Sequence, residues 1–384
     1  MNDEGPKKLV TMRDISAAAG VNQSTVSRAL RNDPKIPPET CSRIRALAER
    51  MRYRPNPFVT AFTTHVRNHR ALPSRATIGV LDLFSADAPH IEWQSRYMRG
   101  IEARAAELGF CIDLLRFRTS GDEFAKIDKI VNARGIRGVI VLPVDLRTAL
   151  SGVDFDRLAA ATIDLSLQTP RLHRATPDYF QGIQIALDEL RARGRRRIGF
   201  CTNRAELVRI GSRWLGGCLA WQAGHPPAER VEPHVSPFEQ LPPGGTKAGD
   251  KRWMEYRKAF ERWLDKEKPD AIVSNDFYFG EWLRELGFAV PRDIAFASLG
   301  AGAGITPRLG GIDQRGEQIG AAAVDLVAGQ IYRNEYGLPA IPSTVTVPSV
   351  WVDGDTTQAN SGDRQIQRPC NRRAEGRASA AHYP

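Results

Sequence analysis

Residues 10 to 30, VTMRDISAAAGVNQSTVSRAL, constrain this chain more than any other stretch: their apolar spacing and breakers fit a helix, a tight turn and a second helix. Thr11 followed by Asp14 is a helix-start signal, the hydroxyl accepting from open amides while the carboxylate faces the positive helix end. The first helix is predicted to run to about Ala19, Gly20 to make the turn at positive φ, and Asn22 to cap a helix opening near Gln23. Ile15, Ala18, Val21, Val26 and Leu30 form the expected inner face. Asn22, Gln23, Ser24, Ser27 and Arg28 then point outward, a set suited to base edges and phosphates. An ordinary helical hairpin with a polar surface carries the same pattern, so the motif alone leaves both readings open.

The continuation narrows the choice. Pro38 suits the first position of a third helix, with Ile44, Leu47, Ala48 and Met51 at helical spacing and Tyr53, Pro55 and Asn56 ending it. This run, without a gap from Val10 through Asn56, closely resembles the amino-terminal domain of the lactose-repressor (LacI/GalR) family of bacterial transcription factors. The resemblance implies a DNA-facing set of Thr11, Asn22, Gln23, Ser24, Thr25, Ser27, Arg28, Arg31, Lys35, Tyr53 and Asn56, with Gln23 and Ser24 at the main base-reading positions. In the family the next segment forms a hinge helix on DNA, and a leucine wedges into the minor groove. Here Phe62 takes the leucine position and Val59 replaces a usual alanine. A plain linker whose Phe62 packs on the body is the competing reading, because short isolated helices are marginal in water.

Charge points the same way. Residues 1 to 75 hold 14 Lys and Arg against 6 Asp and Glu, residues 356 to 384 hold 5 against 2, and the stretch between them is nearly neutral. A basic head on a neutral body is the electrostatic footprint of a DNA-binding module joined to a unit with a different task. At 384 residues and 42% hydrophobic, the chain has room for more than one domain. No apolar run approaches bilayer length and MNDEGPKK is not a secretory signal, so a cytoplasmic location without membrane contact is expected. Five scattered cysteines with no ligand spacing predict neither disulfides nor zinc, and no cofactor or metal is expected.

From Arg75 onward β-rich runs alternate with helical ones, which predicts parallel sheet in two doubly wound halves. The resemblance covers this region more weakly, through landmarks such as Ile78-Gly79-Val80, Asn275-Asp276 and Pro291-Arg292-Asp293-Ile294. It implies a two-lobed body of the type I periplasmic-binding-protein fold, each lobe discontinuous because the chain crosses three times. The expected organisation is a helix-turn-helix head over 1–55, a hinge over 56–75, an effector-binding and dimerisation domain over 76–355, and a disordered basic tail over 356–384.

Ligands of open α/β sheets sit beyond the carboxyl ends of the strands. Asp164, Asn275 and Arg213 fall there, and by resemblance they match positions that hold a sugar or purine effector, with Asp178 a fourth candidate. Strand-end or capping roles compete at each. The family's aspartates after the P-x-D-I motif are replaced by Ser298-Leu299-Gly300-Ala301-Gly302, which leaves open a negatively charged effector or none. Ser236 to Trp253 reads as a surface loop, Trp93, Trp253 and Phe277 as aromatics able to stack on a sugar, and Arg191 to Arg197 as a solvated basic turn.

No Ser/His/Asp grouping, metal cluster or carboxylate pair emerges at readable spacing, so an enzyme is not expected. The reading is a dimeric sequence-specific transcriptional regulator, a repressor by resemblance, that binds operator DNA and a carbohydrate-like effector. Whether the ligand induces or corepresses stays open. The alternative is an architectural or partner-regulated DNA-binding protein whose cleft takes no small molecule.

Overall fold

The computed structural model describes residues 10–30, 33, 35–51, 53, 76–83, 92–117, 121–144, 149–150, 152–236, 251–301 and 309–358. The hinge segment with Asn56, Val59 and Phe62, as well as Arg31 and nearly all of the tail, lies outside these residues. The chain divides into a unit over Met1–Ser74 and a unit over Arg75–Pro384.

In the first unit, helix α1 (Met12–Ala19) opens on a reciprocal cap. Asp14 N donates to Thr11 Oγ1 at 3.4 Å while Thr11 N donates to Asp14 Oδ2 at 2.8 Å. Gly20 ends it at φ +68°, where a Cβ would be strained. The carbonyl of Asn22 accepts from Thr25 and Val26 to start α2 (Gln23–Leu30). Pro38 opens α3 (Pro38–Arg50), where its missing N–H costs nothing. Ile15, Ala19, Val26, Ala29, Cys41, Ile44 and Ala48 form the core, with Tyr53 packed on its rim. Ala18, expected inside, is exposed and Ala19 is buried instead, because α1 turns its seam one residue toward α3.

The second unit holds two sheets. The first, in the order β11-β5-β4-β3-β1-β2, comprises β1 (Thr77–Asp82), β2 (Cys111–Arg116), β3 (Gly138–Val141), β4 (Ala159–Ile163), β5 (His173–Pro177) and β11 (Thr344–Val347), all parallel. The second, in the order β12-β10-β9-β8-β6-β7, comprises β6 (Ile198–Asn203), β7 (His234–Ser236), β8 (Ala271–Ser274), β9 (Ala295–Ser298), β10 (Gly311–Asp313) and β12 (Val350–Val352), the last antiparallel. Helices α4 (Glu92–Glu107), α5 (Gly121–Ala133), α6 (Tyr179–Ala192), α7 (Arg204–Arg209), α8 (Arg213–Ala223), α9 (Lys251–Glu267), α10 (Tyr278–Glu285) and α11 (Gly316–Arg333) connect them. The chain passes from one sheet to the other after β5, back after β10, and over again between β11 and β12. These are the three crossings implied by the resemblance.

The expected single strand AAATIDLS breaks at Asp164, whose φ of +70° turns the chain out of the sheet, and β5 follows as a separate strand. Strands β7, β10 and β12, three residues each, escaped the reading because so short a run shows no alternation. Ser236 belongs to β7 and Trp253 to α9, so both ends of the predicted loop stand in regular structure, and residues 237–250 lie outside the described residues. Packing extends to Thr356 and Thr357, both buried, with Thr356 Oγ1 accepting from Gly310 N at 3.1 Å.

Helix α11 packs on β3, β4 and β5 and against α4. Gly100 and Gly320 make that approach possible: a Cβ on Gly100 would stand 1.9 Å from the Glu317 carbonyl oxygen, and one on Gly320 2.2 Å from that of Tyr97. The close pairing brings Arg96 of α4 onto the second crossing. Its Nη1 and Nη2 donate to Asp313 at 2.7 and 3.1 Å, and its Nε and Nη2 donate to Glu317 at 2.9 and 2.7 Å. Asp313 closes β10 in one sheet layer and Glu317 opens the helix that serves the other, so Arg96 ties the lobes where the chain passes between them.

Candidate nucleic-acid interface and interlobe cleft

The first turn of α2 carries no acidic residue, and Asn22, Gln23 and Ser24 are exposed there together at the positive end of the helix. Thr25 and Ser27 are half-buried. Arg28 is held at the far end by Asp33, whose Oδ2 accepts from its Nε at 2.8 Å, while Lys35 is exposed beside that pair. Thr11 spends its hydroxyl on Asp14 at 2.7 Å, so its side chain serves the cap of α1. Burial raises the Tyr53 phenol above its ordinary range.

In the body, the carboxyl ends of β4, β6 and β8 converge on one polar cluster. Asp164, 2% exposed, accepts at Oδ1 from Leu165 N and from the Tyr179 hydroxyl, both at 2.6 Å. Its Oδ2 accepts from Arg209 Nη1. Arg209 also donates through Nε to Glu206 Oε2 at 2.8 Å, so one guanidinium of the second lobe joins a carboxylate of the first to a carboxylate of its own helix. Asn203 ends β6 and caps α7, accepting from Glu206 N at 2.8 Å, and its Nδ2 donates to Asp276 Oδ2 at 2.9 Å. The Tyr278 hydroxyl donates to the same oxygen at 3.2 Å. Asn275 bridges the group, accepting from Thr202 Oγ1 and donating to Asp276 Oδ1, each at 3.3 Å.

Burial dominates the electrostatics. It pushes Asp276 up to about 6 against the pull of Asn203 and Tyr278, and with the charge of Asp276 it pushes Glu206 up to about 8. Burial likewise brings Arg209 down to about 10 and raises the Tyr97 phenol of α4 to about 12. Arg209 nevertheless keeps 27% of its side chain accessible.

Of the four residues expected to bind effector, Asp164 and Asn275 meet in this cluster and the other two stand apart from it. Asp178 caps α6, accepting from Gln181 N at 3.0 Å. Arg213 is exposed and donates to the Ile210 carbonyl at 3.0 Å. Tyr97, Tyr179, Asn203, Glu206, Arg209 and Asp276 were not anticipated. Asn203 and Asp276 were within reach, one ending a strand as Asp164 does and the other adjoining Asn275. Arg209 lies in a helix of six residues, too short to show a face. Glu206 and Asp276 are the carboxylates that join Asp164 in the cluster.

Trp253 packs on the rings of Tyr278 and Trp282 at 5.1 and 4.7 Å, within the aromatic core under α10, whereas Phe277 is 45% exposed. The basic turn is structural. Arg191 pairs with Glu229, Arg193 with Glu189 and Asp353, and buried Arg195 donates to the carbonyls of Asp270 and Pro291.

A three-helix head with a polar, unneutralised helix start and a body of two doubly wound lobes that share an ionisable cluster define a class by fold: a helix-turn-helix unit joined to a periplasmic-binding-protein-like body. Residues 11–56 match the model of bacterial regulatory proteins of the lacI family, and residues 187–357 match that of the periplasmic binding protein-like domain. It is 29% identical over 137 residues to the HTH-type transcriptional regulator MalR of Streptococcus pneumoniae, a match spanning 35% of this chain and 38% of that protein. Catabolite control protein A of Priestia megaterium is 25% identical over 334 residues, covering 83% of this chain and 91% of that one. Among solved structures, the Lac repressor bound to ONPG in the repressed state superposes with a TM-score of 0.51 at 19% identity, over 91% of this chain and all of that one. No helix among the described residues is long and apolar enough to cross a membrane.

Proposed function

We propose that this protein is a cytoplasmic, dimeric transcriptional regulator that reads operator DNA with α2 and is controlled by a sugar-like ligand held between its lobes. The observation that carries the DNA half is the open start of α2, where Gln23 and Ser24 stand free on a helix fixed by the α1 cap and by Pro38. The observation that carries the ligand half is the convergence of Asp164, Arg209, Glu206, Asn275 and Asp276 from both lobes on one crevice. Relatives by fold include a Lac repressor dimer bound to operator and the anti-inducer ONPF. Asn22, Arg28 and Lys35 would hold the backbone, as would Arg31 and Asn56, with Val59 and Phe62 over the minor groove. The reading gives the protein no catalytic step.

A ligand that closes or opens the cleft acts through the three crossings, where Arg96 already couples the lobes. The DNA half is tested by Gln23→Ala on a duplex selected from random sequence. Base preference at one position of each half-site is expected to relax by about 1–3 kcal/mol, with binding to unrelated DNA unchanged. An unaltered preference shows that Gln23 reads no base.

A further inference from the structure

We propose that the ligand of the interlobe cleft is a cationic polyol of the amino-sugar type, its positive group seated beside Asp276 and Glu206. This rests on the cleft being the effector site and names the chemistry that the site selects.

The first argument is charge. Asp164, Glu206 and Asp276 belong to one buried cluster, and Arg209 is the one cation among the described residues that touches any of them. That guanidinium is consumed by Asp164 and Glu206. Asp276 is 8% exposed and is satisfied by the neutral donors Asn203, Asn275 and Tyr278 alone. Arg174 Nη2 donates to the Leu167 carbonyl at 3.3 Å and Arg213 Nη1 to that of Ile210 at 3.0 Å. An acidic ligand would add like charge to a site already short of cations.

The second argument is an unused polar atom at the same place. Ser236 closes β7 in register with Asn203, so their side chains share one face of the sheet. Ser236 is 1% exposed and its Oγ has no hydrogen-bond partner. A buried hydroxyl left unpaired on the strand position next to Asn203 is a group able to take a polar ligand atom. Together with Asn275 it offers donors and acceptors suited to hydroxyls, while the carboxylates suit an ammonium.

The carboxyls held above their ordinary range describe the same deficit of positive charge. A ligand cation favours their ionised forms, so its binding releases protons near neutral pH.

The test uses the full chain and matched probes: glucosamine, glucose and glucuronate, with galactosamine, galactose and galacturonate, read by thermal melting and by calorimetry in two buffers of different ionisation enthalpy. An amine is expected to bind at least about tenfold tighter than its neutral partner, with proton release and no response to the acids. Glu206→Gln and Asp276→Asn should each reduce that preference for the amine over its neutral partner by roughly tenfold. Tighter binding of a neutral or acidic probe, lost in Arg209→Ala, overturns the charge assignment and leaves the cleft reading standing. If no probe binds, or if binding is indifferent to Arg209→Ala, both fall.

Discussion

Arg96→Met is expected to destabilise the body by about 3–5 kcal/mol, the range found when one partner of a buried ion pair is removed. The arginine side chain is 10% exposed and bridges two carboxylates, so its loss leaves Asp313 without its cation and Glu317 with Arg99 alone. Methionine fills similar volume, which confines the effect to charge and hydrogen bonds. The acid limb of stability carries a second signature. Burial works against the Glu317 carboxylate, yet Arg96 and Arg99 hold it down to about 2 from its ordinary 4.5. A depressed carboxyl contributes stability that is complete above the unfolded value and drains away as pH falls toward 2. Urea titrations at pH 7 and pH 3 should show a gap between wild type and variant that narrows at the lower pH. Equal stability at pH 7 contradicts the latch.

Gly320→Val is expected to cost at least about 2 kcal/mol, because its Cβ meets backbone that cannot yield. The nearest atoms are the Tyr97 carbonyl oxygen at 2.2 Å and Ile101 N at 3.0 Å. Either α4 moves away from α11 or the helix bends, and both displace Arg96 from the crossing. Gly329 on the same helix supplies the contrast, since a Cβ there meets only the tip of Arg333 at 3.0 Å. Gly329→Ala should therefore be neutral or stabilising by about 0.5–1 kcal/mol through helix propensity. Thermal unfolding of the two variants distinguishes close helix packing from a general intolerance of α11 to side chains.

What could be read from the chain alone follows the range of the forces involved. The head was legible because its signals are local: the Thr11 cap, the Gly20 turn and the Pro38 start each act within a few residues, and the structure places all three as expected. Ala18 and Ala19 were exchanged because two adjacent alanines carry no information about which faces α3. In the body, long alternating runs announced two parallel sheets, whereas Asp164 was read as a free strand-end ligand. It is already engaged by Tyr179 and Arg209. Arg209 lies 45 residues from Asp164 and Arg96 lies 221 from Glu317, and no periodicity connects such pairs. Arg213, an effector residue by resemblance, donates to the carbonyl of Ile210, a contact three residues away that the sequence does not announce.

The most direct test of a ligand-responsive DNA-binding regulator is the affinity for a duplex selected from random sequence, measured with and without the sugar of the panel that most raises the melting temperature. The account predicts two inverted half-sites, an affinity that changes by about 5–150-fold at saturating ligand, and a reciprocal change of the same factor in ligand affinity when duplex is present. An affinity that is identical in both conditions, for a ligand shown to occupy the cleft, contradicts it.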